Sequence, residues 1–183
     1  MQPPRSLVAG QSAITWSSDR TGKTGNVMIT QKMKYALKAL LVLGDQQRAG
    51  AGPLRIETIA QRAGVPKRFL EHILLDIRDT GIVASTRGRS GGYALARDPR
   101  QVSIPELLRL IDGPIAPLPC LSRTAYQRCE DCTDEASCRI RQVFSGIFAN
   151  YLLLIESLTL DDLLRSGKAA GAILPAPEAA PLP

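Results

Sequence analysis

The sequence predicts a mainly helical fold with one small β-hairpin and a long amphipathic helix near its C-terminal end. Three observations carry that expectation. Apolar residues recur at helical spacing over six separate stretches between Thr30 and Leu164. A glycine-rich interval, RGRSGG, parts two short runs that read as strands. All four cysteines fall within the segment 120–138, which separates the earlier helices from the long one.

Composition limits the classes open to the chain. Its 183 residues are 44% hydrophobic and 22% charged, which suits one globular domain with appendages. No run approaches the roughly 18 consecutive apolar residues of a membrane span. The opening MQPPRSLVAGQSAITWSSDR has no apolar region behind a basic start, so no secretory signal is expected. That points to the cytosol, where thiols stay reduced and clustered cysteines serve more often as metal ligands than as disulfides. Charge is uneven: thirteen Lys/Arg face six Asp/Glu between residues 28 and 100, and seven face ten from 101 onward. A positive first half is the footprint of a nucleic-acid-binding module, and equally of a solvated basic surface. No Ser/His/Asp constellation, phosphate loop or paired-carboxylate pattern is present, so no enzyme and no small-molecule substrate are expected.

Residues 1–27 carry no period and are expected to form a disordered leader, with Met28 an alternative start. Thr30 is the expected N-cap of the first helix, whose core face is Met33, Ala36, Leu37, Leu40 and Leu41. Lys32, Lys34 and Lys38 spread over the remainder as a solvated face. Ile56, Ile59, Ala60 and Ala63 share the inner face of a second helix that stops at Gly64. Pro66 has the fixed φ suited to the first turn of a third helix. Its buried stripe is Phe69, Leu70, Ile73, Leu74 and Ile77, and Gly81 ends it. Two short helices joined through Ala-Gly-Val make a helix-turn-helix, the small residues letting them cross closely. Lys67, Arg68, Glu71 and His72 are the outward residues near the start of the second of these helices, placed to meet base edges in a major groove. Lys and Arg donate to guanine or phosphate, and Glu accepts from cytosine.

Ile82–Thr86 and Tyr93–Ala96 read as strands around the loop, with Gly88, Gly91 and Gly92 permitting positive φ. Arg87 and Arg89 stand at its base and tip with no acidic residue beside them. A hairpin wing with exposed arginines after a recognition helix suits a narrow minor groove, where negative potential concentrates. Ser103 and Glu106 have the spacing of a capping box ahead of Leu107, Leu108, Leu110 and Ile111, a structural helix that closes on Gly113 and Pro114. Taken together these elements read as a winged helix-turn-helix, and double-stranded DNA is the expected partner.

The cysteines are spaced Cys-x8-Cys-x2-Cys-x5-Cys at 120, 129, 132 and 138. Thiolates are soft ligands that suit iron–sulfur clusters and zinc alike. One Cys-x2-Cys knuckle plus two further cysteines satisfies a tetrahedral zinc site, although zinc sites usually carry two knuckles. A metal-free reversible disulfide between Cys129 and Cys132 is a third possibility, and four unliganded cysteines a fourth. Glu130, Asp131, Asp134 and Glu135 lie among them and disfavour thiolates, so a bound group here would be exposed and labile. The lone histidine, His72, lies far along the chain and is no ligand candidate.

From Ile140 the apolar residues form one helical stripe: Ile140, Val143, Phe144, Ile147, Phe148, Tyr151, Leu152 and Ile155. Such a stripe outruns what the small head can cover. Ile140, Val143, Phe144, Ile147, Phe148, Tyr151 and Ile155 are therefore expected to meet a second copy of the chain. Thr159 is placed to cap a short helix, TLDDLLRS, ahead of an Ala/Pro-rich tail expected to be disordered.

The segments KYALKALLVL, IAQRAGVPKRFLEHILLDIRDTGIV, TRGRSGGYALAR, IDGPIAPLPC and the cysteine run closely resemble the Rrf-two family of bacterial winged-helix regulators. That family includes the iron–sulfur regulator IscR, the nitric-oxide sensor NsrR and the iron-responsive RirA. The resemblance implies a homodimer on a palindromic operator in the bacterial cytosol, on the nucleoid, acting by default as a repressor. In many members an iron–sulfur cluster tunes that binding; here 2Fe–2S is favoured over 4Fe–4S, with zinc or no metal as the alternative. Glu71 matches the recognition-helix glutamate that adjusts sequence preference, and Arg87 the wing arginine that enters the minor groove. Cys120, Cys132 and Cys138 match the three cluster cysteines. Two departures stand out: Arg141 occupies the position of a ligating histidine, and Lys34 that of an acidic ligand. Cys129 is left as the candidate fourth ligand. Arg89-Ser90 also replaces a common Pro-Gly pair at the wing tip. The implied division is 28–113 for the DNA-binding head, 114–138 for the sensor loop, 139–166 for the dimerisation and capping helices, and 167–183 for the tail.

Overall fold

The computed structural model describes residues 29–169, with the backbone alone for 167–169. The expectations for residues 1–27 and for most of the Ala/Pro tail fall outside that range. Among the described residues the architecture is mainly helical with a two-stranded antiparallel hairpin, as the pattern of apolar residues predicts. No helix there is long and apolar enough to cross a membrane.

Helix α1, Gln31–Arg48, is the central post. Thr30 caps it, its hydroxyl accepting from the Met33 amide at 3.2 Å. Asp112, just past the end of a later helix, in turn accepts from the Thr30 amide at 3.0 Å and from its hydroxyl. The inner face of α1 is Met33, Ala36, Ala39, Leu40, Leu43 and Gly44, while Leu37 and Leu41 are only half-buried. The expected face was rotated slightly because α1 is enclosed on several sides, by α2 (Ile56–Ala63), α3 (Lys67–Asp79) and elements further on. Gly64 ends α2 in the left-handed region at φ 61°, where glycine carries no Cβ penalty. Pro66 is the N-cap of α3 rather than its first helical residue. Leu70, Ile73, Leu74 and Ile77 pack inward, and the core closes around them with Met33, Leu40, Leu43 and Ile59.

Strands β1, Val83–Thr86, and β2, Gly92–Leu95, pair in the register Val83↔Leu95 to Thr86↔Gly92. Only Gly88 of the three loop glycines has positive φ, at 106°. Gly91 and Gly92 are needed for space instead. A Cβ on Gly91 would overlap the Thr86 carbonyl oxygen, and one on Gly92 the Leu54 carbonyl. Leu54 crosses so closely because it pairs with Tyr93 through two backbone bonds of 2.9 and 2.8 Å, extending the hairpin by a third short edge.

Helix α4, Ile104–Ile111, is capped by Ser103 accepting from the Glu106 amide at 3.4 Å. The other half of the expected capping box is missing, because the Glu106 carboxylate takes the Arg97 guanidinium at 2.8 Å. Helix α5, Arg139–Glu156, and helix α6, Leu160–Ala169, complete the chain, the latter running three residues beyond the expected boundary. Backbone bonds Ile104 N to Leu158 O and Leu160 N to Val102 O pin the α5–α6 corner to the start of α4. Helix α6 then returns to α1. Leu164 sits over Gly44, where a Cβ would lie 2.6 Å from it. Arg48 donates to the Leu164 carbonyl at 3.0 Å and to Asp161 at 2.6 Å.

Candidate nucleic-acid interface and cysteine loop

The recognition-helix candidates all reach solvent. Lys67, Arg68, Glu71 and His72 are exposed on the first turns of α3, and Arg87 and Arg89 are exposed on the wing loop. Two contacts bring these groups to one place. The Lys67 ammonium pairs with Glu57 in the first turn of α2 at 2.6 Å, and lies 3.8 Å from Glu71. Arg55, which precedes α2, donates to the Arg89 carbonyl at 2.9 Å. The start of α3 and the wing loop therefore flank the same turn of α2. Hydrogen bonding to Lys67 is the main reason the Glu57 carboxyl is held below its usual range. The Lys67 ammonium is raised, first by its hydrogen bond to Glu57, then by the Glu57 charge.

Phe69 departs from the expected buried stripe, with 45% of its surface exposed. Its ring lies at the rim of the core, with Tyr35 of α1 on one side at 6.2 Å and the Arg68 guanidinium over it at 4.7 Å. Arg68 is thereby steadied by a cation–π contact rather than by an acid. Lys32, on the solvated face of α1, is paired with Asp76 of α3 at 2.8 Å. Sequence reasoning passed over both Arg55 and Glu57. The signal for them was slight: a charge on each side of Ile56 at the start of a short helix.

The cysteine loop is ordered by polar contacts. Gln127 N donates to Pro119 O at 3.2 Å, and Cys132 N to Cys129 O at 3.1 Å. Arg128 holds the Cys132 and Thr133 carbonyls at 3.0 and 2.8 Å. Asp134 accepts from the Ala136 and Ser137 amides, and its carboxyl is held below the usual range first by hydrogen bonding to the Ser137 side chain, then by these amides. Cys138 is the N-cap of α5, its Sγ accepting from the Arg141 amide at 3.5 Å. Arg141, where the family resemblance puts a ligating histidine, donates to the Cys120 carbonyl and lies 3.6 Å from Glu135.

Cys120 is buried and the other three cysteines are half-buried, all as free thiols. The Cys129 thiol is pushed up, first by hydrogen bonding with Cys120, then by burial. The Cys132 amide bonds back to the Cys129 carbonyl across a tight turn, and Cys120 lies in the 3-10 turn Pro119–Leu121. The donor chemistry of Cys120, Cys129, Cys132 and Cys138 suits a soft centre, but their arrangement does not. Among the described residues no three His, Cys, Asp or Glu side chains are grouped to hold a metal ion.

The stripe on α5 divides. Phe148, Leu152 and Ile155 are buried within the chain and Tyr151 is half-buried, whereas Ile140, Val143, Phe144 and Ile147 are 42–62% exposed. Phe148 and Ile155, expected at an interface between copies, are thus already covered by the head. The uncovered set lies on the N-terminal half of α5.

Comparison with known proteins agrees with this architecture. The family model described as Rrf2, Iron-dependent Transcriptional regulator, matches residues 29–166. The rrf2-like HTH-type transcriptional regulator of Rhodobacter capsulatus is 66% identical over 148 residues, covering 80% of this chain and 99% of that one. The HTH-type transcriptional regulator IscR of Sodalis glossinidius is 28% identical over 136 residues, 74% of this chain and 81% of its own. The solved structure of CymR, the global cysteine regulator of Bacillus subtilis, superposes with a TM-score of 0.61 at 27% identity, covering 76% of this chain and 97% of that chain. These relatives are regulators rather than enzymes, and the fold they share is the one built above from its own residues. The chain belongs to the Rrf2 family of transcriptional regulators.

Proposed function

We propose that the chain is a sequence-specific DNA-binding regulator, a repressor by family habit, that acts as a homodimer on a palindromic operator in the bacterial cytosol. The observation that carries this reading is the convergence of the α3 N-terminus and the wing arginines on one turn of α2. That arrangement offers a major-groove reader and a minor-groove probe side by side. Lys67, Arg68, Glu71 and His72 face the bases or adjoining phosphates, and Arg87 and Arg89 the neighbouring minor groove. The uncovered apolar face of α5 supports the second copy, and a dimer supports half-sites about one helical turn of DNA apart or a multiple of it. The head is taken as residues 28–113, the sensing loop as 114–138 and the dimerisation segment as 139–166.

The regulatory group is proposed to be an iron–sulfur cluster on Cys120, Cys132 and Cys138, with Cys129 as fourth ligand and 2Fe–2S favoured. The cysteine spacing and the family description, iron-dependent, support it. As they stand the four thiols do not fit such a cluster, so cluster loading requires the loop to rearrange. The four free thiols and the likeness to CymR, described as a global cysteine regulator, support a second reading, a thiol-based regulator without metal. Anaerobic purification followed by iron, sulfide and zinc assays and a duplex-DNA titration on one sample separates these. Iron with sulfide supports the cluster, and zinc alone makes the loop a structural clasp. A metal-free protein that still binds DNA supports the thiol reading, and absence of DNA binding in every state sinks the proposal.

A further inference from the structure

Lys67 opens the recognition helix, the place from which a lysine reaches a phosphate or a guanine edge. Yet it is not free. Its ammonium lies 2.6 Å from the Glu57 carboxylate and 3.8 Å from that of Glu71, and all three side chains are about half-exposed. Two carboxylates thus share one ammonium at this corner of the proposed DNA-facing surface. Arg55 is the other cation acting on Glu57, and its guanidinium is engaged with the wing carbonyl of Arg89.

We propose that Glu57 is a specificity-determining residue that acts through Lys67, withholding its charge from the phosphate backbone of any duplex. Sequence-independent affinity is set by the number of phosphates that cationic side chains neutralise. A lysine committed to Glu57 is removed from that count unless a phosphate displaces the carboxylate. Arg68, Glu71 and His72, which face base edges, are left to decide where the protein stays. Discrimination is the ratio of specific to non-specific affinity, so a lower floor widens it. This inference rests on the DNA-binding reading above.

The test uses the full chain and a random-sequence duplex, titrated over a range of salt concentrations. Glu57→Gln is expected to raise affinity for that duplex roughly three- to tenfold at 0.1 M salt and to steepen the log–log salt slope by about 1 per recognition helix. The same substitution in a Lys67→Ala background is expected to leave the slope unchanged. Against an operator selected from a randomised pool, Glu57→Gln is expected to lower the ratio of specific to random binding. An unchanged slope for Glu57→Gln overturns the inference. So does an equal steepening in the Lys67→Ala background, which would make Glu57 a direct repulsive charge. A pair serving only to staple α2 to α3 would shift the melting temperature and not the slope. Wild-type protein that binds no duplex would bring down the DNA-binding reading itself, an outcome distinct from these.

Discussion

At the scale of single residues, position relative to charge decides what each cation can do. Arg87 is exposed on the wing and has no acidic partner among the ion pairs of the described residues, so its charge is available to DNA. Lys67, at the start of α3, is engaged with Glu57. Replacing Arg87 by Ala is therefore expected to weaken duplex binding about tenfold, to make the salt slope shallower by about 1 per head, and to leave the oligomeric state unchanged. Fluorescence anisotropy across salt, with sedimentation on the same samples, measures both; unchanged affinity would remove Arg87 from the interface. Much at this scale was legible in the sequence. Thr30, Ser103 and Gly64 do what their residue types predict, because caps are local devices read from a few neighbours. The partners of Glu106 and Lys67 were not legible, since each depends on which segment the fold brings alongside.

At the scale of elements, the wing depends on space as much as on dihedral freedom. Gly92 has ordinary φ, but the Leu54 carbonyl crosses where its Cβ would be. Gly92→Ala is expected to cost about 1–3 kcal/mol, as overpacking does in a close-packed site. A urea denaturation midpoint would report it, together with loss of DNA affinity as Tyr93 is pushed from Leu54; full wild-type stability would contradict the close approach. The GG pair in the sequence announced a turn, and the pairing of Leu54 with Tyr93 was hidden because the two lie far apart in the chain. Helix α5 shows the opposite balance. Its period was plain, but periodicity alone does not say which neighbour covers a stripe. The fold assigns Phe148, Leu152 and Ile155 to the head and leaves Ile140, Val143, Phe144 and Ile147 bare.

At the scale of the whole molecule, that bare face leaves an uncovered apolar stripe on the long helix. Ile140, Val143, Ile147 and the exposed Leu154 follow one another at intervals of three, four and seven, the spacing of a seam between helices, over about 21 Å. Placing an unpaired carboxylate in such a seam opposes association by several kcal/mol. Ile147→Glu is thus expected to give a monomer by sedimentation velocity, with helical content retained because Ile147 makes no part of the core. A persistent dimer would place the interface elsewhere.

The attachment of α6 to α1 has a mechanical meaning. Arg48 grips Asp161 and the Leu164 carbonyl, and the corner before α6 is bonded to the start of α4. The C-terminal end of α5 is thereby a fulcrum fixed to the head, while its N-terminal end hangs from Cys138 and the Arg141 clasp on Cys120. A rod pinned at one end and tethered to the cysteine loop at the other would turn a small displacement of the loop into a larger one along its length. On the proposed homodimer, a rearrangement of the cysteine loop would act first on the turns that carry the bare seam, and so on the spacing of the two heads before either proposed reading surface.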